Sequence, residues 1–266
     1  MSKVAIVTDS TSDIPKNIVK ELGITVIPLT VIFGKESFLD DGKEITISEF
    51  YKKIRSSEKL PTTTVPSPKY FIEKYTDILK ESECIISIHI SKKMSGTANS
   101  ADMAKKEMPG KDIEIIDSEL VHMPLGFLAL KAAQLAKEDK SKEEILKSIY
   151  DLKRKIKVLF VPSSLEYLKK GGRIGKAKGL VASLLEIKPL LTINNGEVSQ
   201  FKTARRWNQA KTELIEVMKT TVKNPQNLVV AVGDSDAKED AEEMHERIKE
   251  TFNPKRILRV DIGTIV

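Results

Sequence analysis

The sequence predicts two α/β domains, the first a mainly parallel sheet with helices on both faces (residues 1–156) and the second a mixed-sheet α/β domain (residues 157–266). Three observations predict it. Short apolar runs at 4–7, 84–90 and 113–116 end in small hydroxyl or acidic residues and alternate with helical patterns, as parallel strands covered by helices do. A chain of 266 residues suits two compact cores. The strand pattern restarts at 158–161 after an amphipathic helix, which puts the boundary near 150–157.

Taken in order, residues 4–7 read as a buried strand feeding the polar turn Thr8-Asp9-Ser10. Pro15 suits the first turn of a helix that Gly23 ends. Residues 24–33 read as one strand, with Pro28 marking an irregularity or an edge. Thr46 or Ser48 caps a short helix over 47–54. Residues 60–68 contain three prolines and three threonines and read as extended loop. Ser67 caps a helix with Tyr70, Phe71, Tyr75, Ile78 and Leu79 on one face. A strand at 84–90, a turn at 91–95 and a helix opening at Gly96 follow. The strand at 113–116 ends at Asp117-Ser118, and residues 125–136 are apolar nearly all round, so that helix belongs in the interior. Residues 142–152 form an amphipathic helix.

In the second half, 158–161 reads as a strand and Ser163 or Ser164 as the cap of a short helix ending at 169–172. Residues 175–185 read as a helix, and Asn194-Asn195-Gly196 as a hairpin turn joining strands 189–193 and 198–203. Trp207, Ala210, Leu214 and Val217 make a helical stripe, followed by strand 228–232, helix 237–251 and strand 257–262.

Composition narrows the function. Apolar residues make up 40% and charged residues 31%, an ordinary balance for a chain in water. The first apolar run is too short for a signal peptide, and every apolar stretch falls below the ~18 residues of a membrane span. Cys84 is the single cysteine, which excludes an internal disulfide and a cysteine zinc cage. A cytoplasmic location without stable membrane insertion is the expectation. The histidines lack ligand spacing, and Asp40-Asp41 and residues 234–236 read as turns, so no metal site is expected. Net charge is +6, with 38 acids among 44 bases, and one Trp with five Tyr supplies no stacking motif, so nucleic acid is not expected as a partner.

Strand-to-turn junctions at Asp9-Ser10, 91–95, Asp117-Ser118 and 162–164 fall where open sheets take ligands. Ser95-Gly96 is the best of them. Gly96 allows close backbone approach, a helix start favours an anion, and the Ser95 hydroxyl can donate to a carboxylate; the plainer reading makes Ser91 or Ser95 an N-cap. As a nucleophile, Ser95 lacks the G-x-S-x-G context. His89 lies inside a strand, His245 on a solvated helix face, and His122 is the candidate base that remains for a serine hydrolase. Residues 171–176 (GGRIGK) match neither phosphate-loop pattern, so a phosphotransferase lacks its motif too. Lys169, Lys170, Arg173, Lys176 and Lys178, with Arg205 and Arg206, suggest an anionic headgroup or an acidic partner surface. The threonines between Pro61 and Pro66 supply hydroxyl donors without an ionisable group, which suits binding better than proton transfer.

Six blocks in order then carry a resemblance: VTDSTSDIP at 7–15, PTTTVPSP at 61–68, SKKMSGTANSA at 91–101, IDS at 116–118, LKKGGRI at 168–174 and IKPLL at 187–191. Together they resemble the DegV family, whose members include the fatty-acid-binding subunits of bacterial fatty acid kinase, and the match spans almost the whole chain. The resemblance implies a non-enzymatic protein that needs no cofactor. It implies a long-chain, palmitate-like fatty acid in a buried tunnel between the two domains, its carboxylate presented to a partner kinase. The family's carboxylate-holding hydroxyls fall on Thr63 and Ser95, beside Thr64 and Gly96. Its arginine after the double glycine falls on Arg173, and its basic residues after the hairpin fall on Lys202, Arg205 and Arg206, the region that meets the kinase. Three features depart from the family pattern. Val65 stands where an amide is usual, His122 and Pro124 stand where small residues are usual, and the family's His- and Gly-rich continuation near the headgroup does not follow Val266.

Overall fold

A computed structural model describes residues 4–183 and 187–265. They divide into two compact units: the chain to Ile156 with the residues from Gly263 onward, and Lys157–Ile262. The sequence reading carries the second domain to 266, whereas the structure returns the last residues to the first unit. The Gly263 amide donates to Asp13 and the Thr264 hydroxyl to Asp40. Ile265 is buried with Leu29, Val31, Phe33, Ile45 and Phe50.

The first unit starts with β1 (Val4–Asp9), a 3-10 turn (Ser10–Ser12) and α1 (Lys16–Leu22), which Gly23 closes in the left-handed region at φ 68°. The apolar stretch after it is two strands, β2 (Thr25–Ile27) and β3 (Thr30–Phe33), and not the single strand of the sequence reading. Pro28 has no N–H to continue a ladder, and the next amide, that of Leu29, donates to the Ser10 hydroxyl instead. β3 turns at Gly34, φ 61°, into β4 (Glu36–Leu39), a strand absent from the sequence reading. α2 (Ile47–Ser56) follows, where Thr46 and Glu49 form a capping box. The threonine run expected to be loop is β5 (Thr62–Thr64), paired antiparallel with β3.

The chain continues through α3 (Pro68–Ile78), β6 (Cys84–His89), α4 (Thr97–Lys106) and β7 (Ile113–Asp117). α5 (Met123–Lys137) and α6 (Lys142–Lys155) close the unit. β2-β1-β6-β7 form a parallel sheet, and β4-β3-β5 a separate antiparallel one. On one face of the parallel sheet Val7, Ile85 and Ile113 pack against Phe71, Tyr75, Ala101 and Ala104 of α3 and α4. α5 packs on β1 and β6 and buries Leu125, Leu128, Ala129, Ala132 and Ala133, as its apolar circumference predicts.

In the second unit, α7 (Glu166–Lys170) precedes a 3-10 helix (Gly175–Ser183), wound more tightly than the helix expected over 175–185; Leu184 and Leu185 lie outside the described residues. Ser164 accepts from the Glu166 amide, as expected of a cap, although Leu165 is the first flanking residue. β8 (Lys188–Asn194) and β9 (Glu197–Ala204) form the expected hairpin, with Asn195 and Gly196 at φ 49° and 80°. The strand expected at 158–161 is reduced to a bridge between Phe160 and Leu191. α8 (Trp207–Thr221), β10 (Val229–Asp234), α9 (Lys238–Phe252) and β11 (Arg256–Asp261) complete the unit, with β10 and β11 parallel. The mixed sheet is thus two separate pairs, one antiparallel and one parallel.

Candidate functional site

The C-terminal ends of β1 and β6 meet where Asp9 and His89 close their strands. After His89 the chain turns through 91–95: the Ser91 carbonyl accepts from the Met94 and Ser95 amides, and the Ser91 amide donates to Leu120. Ser95 is half-buried, and its Oγ lies 2.8 Å from Thr97 Oγ1 and accepts from the Thr97 amide at 3.3 Å. α4 starts at once, with exposed Gly96 as its flanking residue. The threonine strand comes alongside. A Cβ on Gly96 would lie 4.0 Å from the methyl carbons of Val65, and the Ser100 hydroxyl donates to the Pro66 carbonyl. Register with β3 sets Thr63 opposite Val31 and Thr64 opposite Thr30, with Thr63 half-buried and Thr64 exposed. The segment that follows Thr63 and Thr64 is thus tied through Pro66 to the first turn of α4, the helix that Ser95 and Gly96 lead into.

Arg173, Lys202 and Arg205 belong to the second unit. Arg173 follows α7 and its guanidinium donates to the Gly171 carbonyl. Lys202, exposed on β9, pairs with Glu213 of α8 at 2.5 Å. The Arg205 amide is capped by Gln209. Two lysines of the neighbouring basic stretch are also paired, Lys170 with Glu166 and Lys176 with Glu197, which reduces the net charge of that loop.

A buried polar chain was not legible as a unit. Tyr75 Oη donates to Ser87 Oγ at 2.8 Å, Ser87 Oγ lies 2.7 Å from His89 Nε2, and His89 Nδ1 lies 2.9 Å from Asp9 Oδ2. With the Tyr75 proton on Ser87, the serine proton points to Nε2 and the imidazole proton sits on Nδ1, toward the carboxylate. Burial raises the Tyr75 phenol above its usual range, so it stays a donor. Ser87, His89 and Asp9 have the order of a hydrolytic triad, but all three are 0% exposed, so no substrate carbonyl reaches the serine. His89, read from sequence as lying inside a strand, is the centre of this chain. Its signal was the alternation Ser87-Ile88-His89, two polar residues on one face of an otherwise apolar strand.

A second polar cluster lies where the C-terminal segment returns. Asp13 receives His122 Nδ1 at 2.6 Å and the Gly263 amide at 3.0 Å. Burial raises the Asp40 carboxyl above the usual range; hydrogen bonds from Ser10 and Thr264 oppose this, and the charge of Asp13 adds to it. His122, the candidate base for Ser95, is committed to Asp13. Its backbone has φ 58° and ψ −156°, a strained conformation for a residue with a Cβ. His245, expected on a solvated face, has a side chain only 17% exposed. Among the described residues no group of three or more His, Cys, Asp or Glu is placed to hold a metal. No helix among them is long and apolar enough to cross a membrane.

A sequence model of the DegV family of uncharacterised proteins matches residues 3–266. A DegV domain-containing protein of Caldanaerobacter subterraneus subsp. tengcongensis is 37% identical over 263 residues, 99% of this chain and 93% of the relative. Among solved structures, a DegV family protein from Thermus thermophilus described for its fatty acid binding is 32% identical with a TM-score of 0.89, covering 99% of this chain and 94% of that one. DegV of Bacillus subtilis, described as a fatty acid binding protein, is 29% identical with a TM-score of 0.91, covering 100% and 94%. A stearic acid-binding protein from Eubacterium ventriosum is 27% identical with a TM-score of 0.87, covering 99% and 92%.

Proposed function

Because the chain belongs to the DegV family, we propose that it binds one long-chain fatty acid, with the carboxylate at the hydroxyl group formed by Thr63, Thr64, Ser95 and the Gly96 amide. The observation that supports this reading most is the hydrogen bond from the Ser100 hydroxyl to the Pro66 carbonyl, which ties the segment after Thr63 and Thr64 to the helix that Ser95 and Gly96 lead into. Hydroxyls and a bare backbone amide at a helix start stabilise an anion and do not activate a nucleophile. Affinity comes from the tail: the roughly fourteen methylenes of a sixteen-carbon acid, at about 0.8 kcal/mol each, contribute up to about 11 kcal/mol on burial. The headgroup contacts mainly fix orientation. No cofactor is required, and we read the protein as a carrier and not a catalyst: Ser95 is bonded to Thr97 and His122 to Asp13.

The test is equilibrium binding of palmitate to wild type and to the combined Thr63→Ala, Ser95→Ala variant, with circular dichroism to monitor the fold. Each lost hydrogen bond to the carboxylate should cost roughly 1.5–3 kcal/mol. Unchanged affinity in the folded double variant would remove these residues from the site.

Arg173, Lys202 and Arg205 carry a finer proposal. A hydrocarbon tail gains nothing from cationic side chains, so this basic surface is read as facing a fatty acid kinase subunit or the phosphate that it transfers, in the cytoplasm.

A further inference from the structure

We propose that Asp9 is a positioning residue for this carboxylate site, a single buried acceptor that sets the places of both the Ser95 turn and the Thr63 strand. The inference rests on the fatty-acid reading above, and concerns a residue that touches no ligand in it.

Asp9 is fully buried and its two oxygens take four donors. Oδ2 accepts from His89 Nδ1 at 2.9 Å and from the Ile90 amide at 3.0 Å. Oδ1 accepts from the Thr11 amide at 3.1 Å and the Thr11 hydroxyl at 2.5 Å. The two oxygens lead to the two arms of the site. Ile90 precedes Ser91, whose carbonyl accepts directly from the Ser95 amide. Thr11 belongs to the 3-10 turn, whose Ser10 hydroxyl accepts from the Leu29 amide at 3.1 Å. Leu29 enters β3, and β3 sets the register of Thr63 through Val31.

The chemistry explains why an aspartate stands there. A carboxylate is acceptor-only at both oxygens. An asparagine of the same shape would offer an NH2 on one side. That group would face either the Ile90 amide or the Thr11 amide, so one arm loses its acceptor in either orientation. Tyr75, Ser87 and His89 brace the carboxylate from behind: His89 Nδ1 faces Asp9 and Ser87 Oγ satisfies Nε2.

The experiment measures palmitate affinity in a cycle of Asp9→Asn, Ser95→Ala, Thr63→Ala and their combinations, with the Thr11 and Ile90 amide resonances followed by NMR. Asp9→Asn should bind roughly tenfold more weakly, the effect of losing about one charge-assisted hydrogen bond, and one of the two amide resonances should shift as its acceptor is lost. In the Thr63→Ala, Ser95→Ala background the same change should have less than about twofold effect, because a residue acting through those hydroxyls is non-additive with them. Ser10→Ala, which leaves Asp9 in place, should couple to Thr63→Ala and add independently to Ser95→Ala. Affinity unchanged in Asp9→Asn despite a shifted amide overturns the proposal, as does an undiminished effect in the double-alanine background. If Asp9→Asn does not fold, the Ser10→Ala cycle decides, and additivity with both alanines overturns the proposal. Failure of the fatty-acid reading has a different signature: the alanine variants themselves bind like wild type, or wild type binds no palmitate.

Discussion

Asp40 is half-buried near the charge of Asp13, and its raised carboxyl pKa makes the charge at neutral pH a cost to the fold. A folded-state value above 3.8 means that the folded chain holds this proton more tightly than the unfolded chain. The contribution is present in full below the unfolded value and is lost as pH rises through the folded one. Asp40→Asn keeps an oxygen for Thr264 and removes the repulsion from Asp13. It should raise the urea midpoint at neutral pH and leave it little changed below about pH 3. A lower midpoint at neutral pH would show that the ionised carboxylate is what holds the returning segment. Little of this was legible in the sequence. Thr264 stands 224 positions from Asp40, and Gly263 stands 250 from Asp13. The same distance in sequence hid the partner of His89, 80 positions away. Ser95 and the threonine run of Thr63 could be singled out because they sit in local patterns, a strand-to-helix turn and a proline-bounded stretch, while the choice of Thr63 within the run came from the family resemblance.

At the scale of elements, short-range chemistry was readable and long-range pairing was not. Asn195-Gly196 formed its turn because both backbone angles it needs are cheap for those residues. Thr46 capped its helix with the Glu49 of a capping box. The strand over 24–33 was misread because its break depends on a hydrogen bond from Leu29 to Ser10 in another element. β4 escaped because an exposed strand with one partner leaves little apolar alternation. One contact between elements is sharply testable. A Cβ on Gly126 of α5 would stand 2.6 Å from the Ser12 carbonyl. Backbone cannot rotate away as a side chain can. Gly126→Ala should therefore lose roughly 1–3 kcal/mol of stability, although alanine in a free helix gains up to about 1 kcal/mol over glycine. Urea unfolding measures the sign, and a stabilised variant would mean that α5 can withdraw from the Ser10–Ser12 turn without cost.

At the scale of the molecule, the proposed carboxylate residues belong to the first unit and Arg173, Lys202 and Arg205 to the second, so the proposed holding and delivery steps can be tested separately. Arg205→Ala should retain palmitate almost as wild type does and fail in phosphorylation of bound lipid by a cognate kinase with ATP. Raised salt should weaken the kinase step more than retention, because exposed charges are screened and a buried tail is not. Parallel loss of both quantities would place Arg205 in the lipid site itself. Beneath both steps lies the claim that this chain carries a fatty acid at all. Native mass spectrometry of the purified protein, followed by lipid extraction, tests that most directly. The account predicts one long-chain fatty acid per chain, released on denaturation. A protein that runs at its bare mass and takes up no added palmitate would contradict it.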